Sequence, residues 1–202
     1  MIGQTIKRLP RVLSPNEARL LVAAASTPKH QAMIAIGLYA GLRCQEILDL
    51  RVGDIDEEEG LIRVRQGKGG QDATLPLNPR LLHYIAPFLR GREVDQPLVP
   101  GPARQPYSGR ALRKIVTRAA VKAGLAGHVH VHTLRHTFGT ELQRHGKDVY
   151  RTKRLMRHAS IKSTELYIHL AVEDIRPLAD ELDFEPTPER LQQAVDAPAS
   201  AG

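Results

Sequence analysis

The chain has 202 residues, enough to bury a core in one domain, and carries 29 Lys and Arg against 22 Asp and Glu, a net charge of +7 that favours a polyanionic partner without establishing one. Its single cysteine, Cys44, excludes an intrachain disulfide and a disulfide-stapled scaffold. The N-terminus has no apolar core of signal-peptide length and the longest apolar run, 32–42, is too short to span a bilayer, so a cytoplasmic, nucleoid-associated protein with no membrane partner is expected.

In chain order, residues 1–12 read as a basic leader with Lys7, Arg8 and Arg11 around Pro10. A helix follows at once. Ser14-Pro15-Asn16-Glu17 combines an N-cap serine, a proline at the first helical position and a glutamate at the third, and Leu20, Leu21 and Ala24 continue its apolar face. The pattern over 29–40 predicts a second helix that is apolar on most sides through Met33, Ile34, Ile36 and Leu38, hence central, with Gly41 ending it. Leu42 to Leu50 reads as a third helix that opens beside Arg43 and buries Leu42, Ile47, Leu48 and Leu50.

Between 53 and 77 the period changes to alternation, through Gly53-Asp54-Ile55-Asp56, Leu61-Ile62-Arg63-Val64-Arg65 and Asp72-Ala73-Thr74-Leu75-Pro76-Leu77. This predicts a small antiparallel sheet of three strands. The turn between the second and third strands, Gln66-Gly67-Lys68-Gly69-Gly70-Gln71, holds a lysine among glycines. Asn78-Pro79 opens another helix running to about Arg90, with Leu81, Leu82, Ile85 and Leu89 inward. After a Pro- and Gly-rich loop over 91–107, Ser108 or Gly109 begins a basic helix with Arg110, Arg113, Lys114, Arg118 and Lys122 on its solvent side, closed by Gly124.

The chemistry concentrates between His132 and Tyr167. Thr133 is the expected N-cap of a helix in which Leu134, Phe138 and Leu142 recur every fourth position and which Gly146 stops. His132 and Arg135 then share the helix entrance. Outward N–H groups and the positive end of the helix dipole make an imidazole and a guanidinium there an oxyanion or phosphate site. Tyr167 follows on a later short helix. A phenol titrates near about 10, so it attacks nothing at neutral pH without neighbouring cations and hydrogen bonds. His136 reads as a buried, hydrogen-bonded core histidine, and neither it nor His169 belongs to the site. His128, His130 and His132 alternate and would share one face of a strand, as metal ligands do, but no acidic or cysteine ligand sits near them, so no metal is expected.

The constellation Arg43, Lys68, His132, Arg135, His158 and Tyr167 resembles the tyrosine recombinase (phage integrase) family over 13–182. Its marks are Ala40-Gly41-Leu42-Arg43 with Glu46-Ile47-Leu48, Gly67-Lys68-Gly69, His132-Thr133-Leu134-Arg135-His136-Thr137-Phe138, and His158 nine residues before Tyr167. The resemblance implies a mainly α fold with a small three-stranded antiparallel sheet (α+β), the DNA breaking and rejoining catalytic domain, over 13–182, followed by a partly disordered tail over 183–202. It implies that Arg43 and Arg135 clamp the scissile phosphate, Lys68 protonates the departing 5′ oxygen, His132 assists proton transfer at Tyr167, His158 bonds the phosphate and Tyr167 becomes a 3′-phosphotyrosine. No cofactor is implied.

Double-stranded DNA is the implied partner, gripped also by Lys7, Arg8, Arg11, Arg110, Arg113, Lys114 and Arg157. A homotetramer on paired sites is implied, with a monomer allowed off DNA. A helix from Val172 to Leu182, with Ile175, Leu178 and Leu182 on one face, is the segment expected to pack on a neighbouring protomer. The pattern departs from the family twice: Arg157 stands where a glycine usually precedes His158, and Gln71 and Asp72 occupy the place of a second hairpin lysine. A type IB topoisomerase uses a similar set of side chains, and a DNA-binding regulator that kept the fold is the non-enzymatic alternative. Family members usually carry a further N-terminal helical domain, for which the leader here has room only as a linker.

Overall fold

The computed structural model of the chain describes residues 11–65, 72–102 and 105–146. Within them the order is α1 (Pro15–Ala24), α2 (Pro28–Tyr39), α3 (Cys44–Asp49), β1 (Ile55–Asp56), β2 (Leu61–Val64), β3 (Ala73–Pro76), α4 (Pro79–Ile85), α5 (Gly109–Lys122) and α6 (Val131–Gly146). The mainly helical fold with one small sheet is as the periodicity predicts. Lys7, Arg8, Lys68, Arg157, His158, Tyr167 and the Val172–Leu182 segment lie outside the described residues.

α2 is the centre because it has no polar face to offer water: Ala32 through Tyr39 are all buried. It packs against α1, α3, α4, α5 and α6. Its contact with α6 is unusually close. A Cβ on Gly37 would lie 2.7 Å from Leu134 Cδ1, and one on Gly41 would overlap the Phe138 ring. The two glycines, one inside α2 and one just past its C-terminal end, are thus the seats for Leu134 and Phe138, one turn apart on α6. Gly41 also has φ +61°, the left-handed conformation that terminates α2.

α1 begins as the capping residues predict. The Ser14 hydroxyl accepts the Glu17 N–H at 3.2 Å and the Glu17 carboxylate accepts the Ser14 N–H at 2.8 Å. Its buried face is Ala18, Leu21 and Val22, while Leu20 is 41% exposed, so the apolar stripe lies further round the helix than the predicted Leu20–Leu21–Ala24 face. Ahead of α1, the buried Leu13 donates its N–H to the Thr137 hydroxyl at 3.0 Å, and that hydroxyl donates to the Thr133 carbonyl at 2.8 Å. The segment entering α1 is thereby bonded to α6.

The sheet has order β1-β2-β3, antiparallel throughout, with Ile62 opposite both Ile55 and Leu75. Ile62, Val64 and Leu75 turn inward and Arg63 outward. α4 is shorter than predicted. It stops at Ile85 and continues as a 3-10 turn over Ala86–Phe88, because Pro87 has no N–H to extend the α ladder. The loop that follows is tied down by Arg92, which donates to the carbonyls of Phe88, Pro97 and Leu98 at 2.9, 2.6 and 2.8 Å.

Two outcomes test this account. Gly41→Ala combines a strained φ with overlap on Phe138, and should destabilise the fold by about 2 kcal/mol or more, read as a lower urea midpoint at unchanged slope. A shift worth less than about 0.5 kcal/mol would show that Phe138 is not seated on this glycine. The second concerns Glu17: burial pushes its carboxyl upward, but the Ser14 N–H, the Arg11 guanidinium 2.8 Å away and the Ser14 hydroxyl outweigh it and hold it below its ordinary value. A carboxyl depressed in the folded state stabilises above the unfolded carboxylate range and loses that contribution as pH falls through its folded value. The stability gap between the native chain and Glu17→Gln should therefore be present near neutral pH and shrink under acid titration toward about pH 3.

Candidate active site

The entrance of α6 is built three residues earlier than the sequence suggests. Thr133 is not the N-cap: Val131 is the first helical residue and His130 precedes it, so Thr133 occupies the third helical position. The Thr133 N–H lies 2.8 Å from the His130 carbonyl and 3.2 Å from His130 Nδ1, while the His130 N–H donates to the Thr133 hydroxyl at 3.2 Å. This reciprocal pairing does what a serine and glutamate do elsewhere, and the imidazole was not recognisable as a cap because histidine seldom serves as one. The early start also removes the strand on which His128, His130 and His132 would have faced the same way. His132 is instead in the first turn of α6.

His132 is exposed, and its ring meets the His130 ring edge-on at 6.0 Å with an interplanar angle of 81°. Arg135 follows three residues later and so lies on the neighbouring part of the same face. It is only 6% exposed, and its Nη1 donates to the carbonyl of Gly41 at 2.5 Å. A buried guanidinium costs several kcal/mol unless its N–H groups are bonded, and a carbonyl at the C-terminal end of α2 is a favourable acceptor because partial negative charge collects there. The close packing of Leu134 and Phe138 on α2 is what brings Arg135 to this carbonyl, 94 positions away in sequence.

Arg43 lies two residues beyond Gly41, at the N-cap of α3 rather than inside the helix. Glu46 holds it twice, accepting the backbone N–H at 2.7 Å and the guanidinium Nη1 at 2.9 Å. The i,i+3 ion pair that would be the ordinary explanation of this arginine is therefore present. The side chain is nevertheless 41% exposed against 11% for Glu46, so the pair orients the guanidinium at the surface rather than burying it.

α5 approaches the same turn. Its capping residue Ser108 accepts the Ala111 N–H at 3.1 Å, and a Cβ on Gly109 would lie 3.6 Å from both Cys44 Sγ and Arg113 Nη1. Cys44 directly follows Arg43, so the basic face of α5 begins beside that arginine. Arg110, Arg113, Lys114, Arg118 and Lys122 are all exposed, as the helical spacing predicts, and the first four line a shallow groove with Thr117. Burial pushes the Cys44 thiol up, against a smaller opposing effect of Arg113, and the side chain packs against the core at its edge.

Of the predicted site residues, the structure thus places Arg43, His132 and Arg135 around the α2–α3 turn and the α6 entrance, with Arg110, Arg113 and Lys114 on the adjoining helix. Arg11 is turned inward: it pairs with Glu17 at 2.8 Å and packs along Gly127, and its side chain is 31% exposed. His136 is exposed, where the sequence reading makes it a core histidine. It lies two residues from both Leu134 and Phe138, which puts it about 200° round the helix from the buried stripe. Glu46 and the Gly41 carbonyl support the two arginines: the i,i+3 spacing offers Glu46 as the partner of Arg43, whereas nothing in the sequence assigns the Gly41 carbonyl to Arg135. Their signal is only positional, a glycine two residues before Arg43 and a glutamate three after it. No helix among the described residues is long and apolar enough to cross a membrane.

Residues 11–174 match the phage integrase family, and the chain belongs to it. Tyrosine recombinase XerC of Xylella fastidiosa (strain 9a5c) is 32% identical over 173 residues, which cover 83% of this chain and 58% of the relative. The integrase from mycobacterium phage Brujita has the same fold at a TM-score of 0.72 and 30% identity, over 95% of this chain and 65% of that one. The XerH site-specific recombinase bound to difH substrate, in a pre-cleavage complex, superimposes at a TM-score of 0.65 and 21% identity over 96% of this chain and 56% of its own, a likeness of fold. The chain spans between 58% and 61% of the length of the first curated relatives it matches.

Glu46→Ala should cost about 1–3 kcal/mol in urea unfolding, since it removes the acceptor of both the Arg43 N–H and its guanidinium. Glu46→Gln, which keeps one carbonyl acceptor, should lose less. Equal losses in the two variants would mean that packing, and not these bonds, is what Glu46 contributes.

Proposed function

We propose that the whole protein performs site-specific DNA recombination of the integrase, invertase or resolvase type, cutting and rejoining strands through a 3′-phosphotyrosine. The observation that carries this reading is the seating of Arg135 on the Gly41 carbonyl, two residues before Arg43. It gathers two guanidinium-bearing segments from opposite ends of the described fold around one turn, beside an exposed imidazole. Membership of the phage integrase family supports it independently.

In this scheme Arg43 and Arg135 bind the non-bridging oxygens of the scissile phosphate and stabilise the added charge of the pentacoordinate transition state. Tyr167 attacks the phosphorus as its phenolic proton leaves with the help of His132, His158 donates a hydrogen bond to a phosphate oxygen, and Lys68 gives a proton to the departing 5′ oxygen. The phosphodiester energy is kept in the tyrosine ester. A 5′-hydroxyl from another duplex then reverses the step, restoring Tyr167 and joining the exchanged strand. Arg110, Arg113 and Lys114, continuous with the site along α5, hold the duplex backbone together with Lys7, Arg8 and Arg157, while Arg11 acts chiefly through Glu17. The acting assembly is a homotetramer on paired sites, and its place in the cell is the cytoplasmic nucleoid.

A suicide half-site, nicked so that the 5′-hydroxyl diffuses away after cleavage, tests the scheme. The native chain should accumulate a covalent adduct on a denaturing gel. Tyr167→Phe should form none while binding the same DNA within about twofold, since one hydroxyl adds little to a contact set dominated by phosphates. An adduct in the Phe variant overturns the nucleophile, binding without any adduct in the native chain points to a regulator, and plasmid relaxation without joining of two duplexes points to a topoisomerase.

A further inference from the structure

We propose that His130 is a positioning residue of the active site, holding the first turn of α6, and with it His132 and Arg135, by an imidazole N-cap. The inference rests on the reading of His132 and Arg135 given above. Its geometry is independent of that reading. His130 Nδ1 lies 3.2 Å from the Thr133 N–H and 3.2 Å from the Thr133 hydroxyl, and the His130 N–H donates back to that hydroxyl at 3.2 Å. An Nδ1 that accepts the Thr133 N–H leaves the ring proton on Nε2, which fixes the tautomer of the neutral ring.

The second turn of α6 has its own anchor, in which Thr137 bonds the Thr133 carbonyl and receives the Leu13 N–H. The first turn, which carries His132, has His130. The residue type also matters beyond capping. A serine would satisfy the Thr133 N–H equally well, but it would not reach the His132 ring, which His130 meets edge-on at 6.0 Å. His130 therefore both closes the helix end and supports the face of the exposed imidazole. It is exposed itself, so its ring is not there to fill the core.

Three variants in the full chain separate these roles. His130→Ala removes cap and ring. His130→Asn keeps a capping oxygen, and His130→Phe keeps a ring without an acceptor. Single-turnover cleavage of the suicide half-site should fall about five- to tenfold in the Ala variant with DNA affinity within about twofold, recover most of the way in the Asn variant and stay low in the Phe variant. Amide exchange at Thr133 and Leu134, read without DNA, should quicken by a similar factor in Ala and Phe and return toward native in Asn. Native-rate cleavage by the Ala variant overturns the proposal, as does an Asn variant no better than Ala, or quickened exchange with no change in cleavage. If the native chain forms no adduct at all while exchange responds as stated, the recombinase reading is what has failed, and the catalytic consequence of the cap falls with it.

Discussion

The contact between α2 and α6 is the constraint on which the site depends. Gly37 and Gly41 give up their own side chains so that Leu134 and Phe138 can sit directly on the α2 backbone. A glycine inside a helix costs about 0.5–1 kcal/mol relative to alanine, and burying a leucine and a phenylalanine recovers roughly 1.5–3 kcal/mol each. What matters for chemistry is the distance this sets. With the helix backbones this near, a side chain from α6 reaches the C-terminal carbonyl of α2, and Arg135 does so at Gly41. A bulkier interface would hold the guanidinium away from the turn in which Arg43 stands.

Around that contact, each cationic group is placed by a partner that also restrains the backbone. Glu46 bonds both the Arg43 N–H and its guanidinium, so the side chain and the start of α3 are ordered together. His130 and Thr133 do the same for the entrance of α6. Such coupling leaves little side-chain entropy to be lost when a ligand binds in one geometry. The basic face of α5 has no such restraint and needs none. Its arginines and lysines are exposed in a row along one side of the helix, where all but Lys122 line a shallow groove with Thr117.

The segment ahead of α1 is more closely tied to the site than its composition suggests. Leucine and arginine beside a proline read as leader, yet Leu13 is fully buried and bonded to Thr137, and Arg11 closes on Glu17 beside Gly127. A pull on this segment is therefore transmitted to the second turn of α6, through a threonine hydroxyl that serves as acceptor and donor at once.

By itself the sequence determined the elements and the chemical inventory. Ser14, Asn78 and Ser108 mark helix starts because short polar side chains satisfy N–H groups locally, and the alternation through Leu61–Val64 and Ala73–Pro76 marks strands because one face must be buried; both are effects of neighbours in sequence. His132 and Arg135 were legible together from their spacing at a helix start, while Arg43 joined them only through the resemblance of its motif to the tyrosine recombinase family. Tertiary structure decided what those types do. It closed Arg11 onto Glu17, turned His136 to solvent opposite the Leu134–Phe138 stripe, moved the cap of α6 from Thr133 to His130, and joined Arg135 to a carbonyl 94 positions away. These depend on how closely two helix backbones approach, which is set by the fit of Gly37 and Gly41 to Leu134 and Phe138 across the core, and no local pattern of residues encodes a distance between segments so far apart.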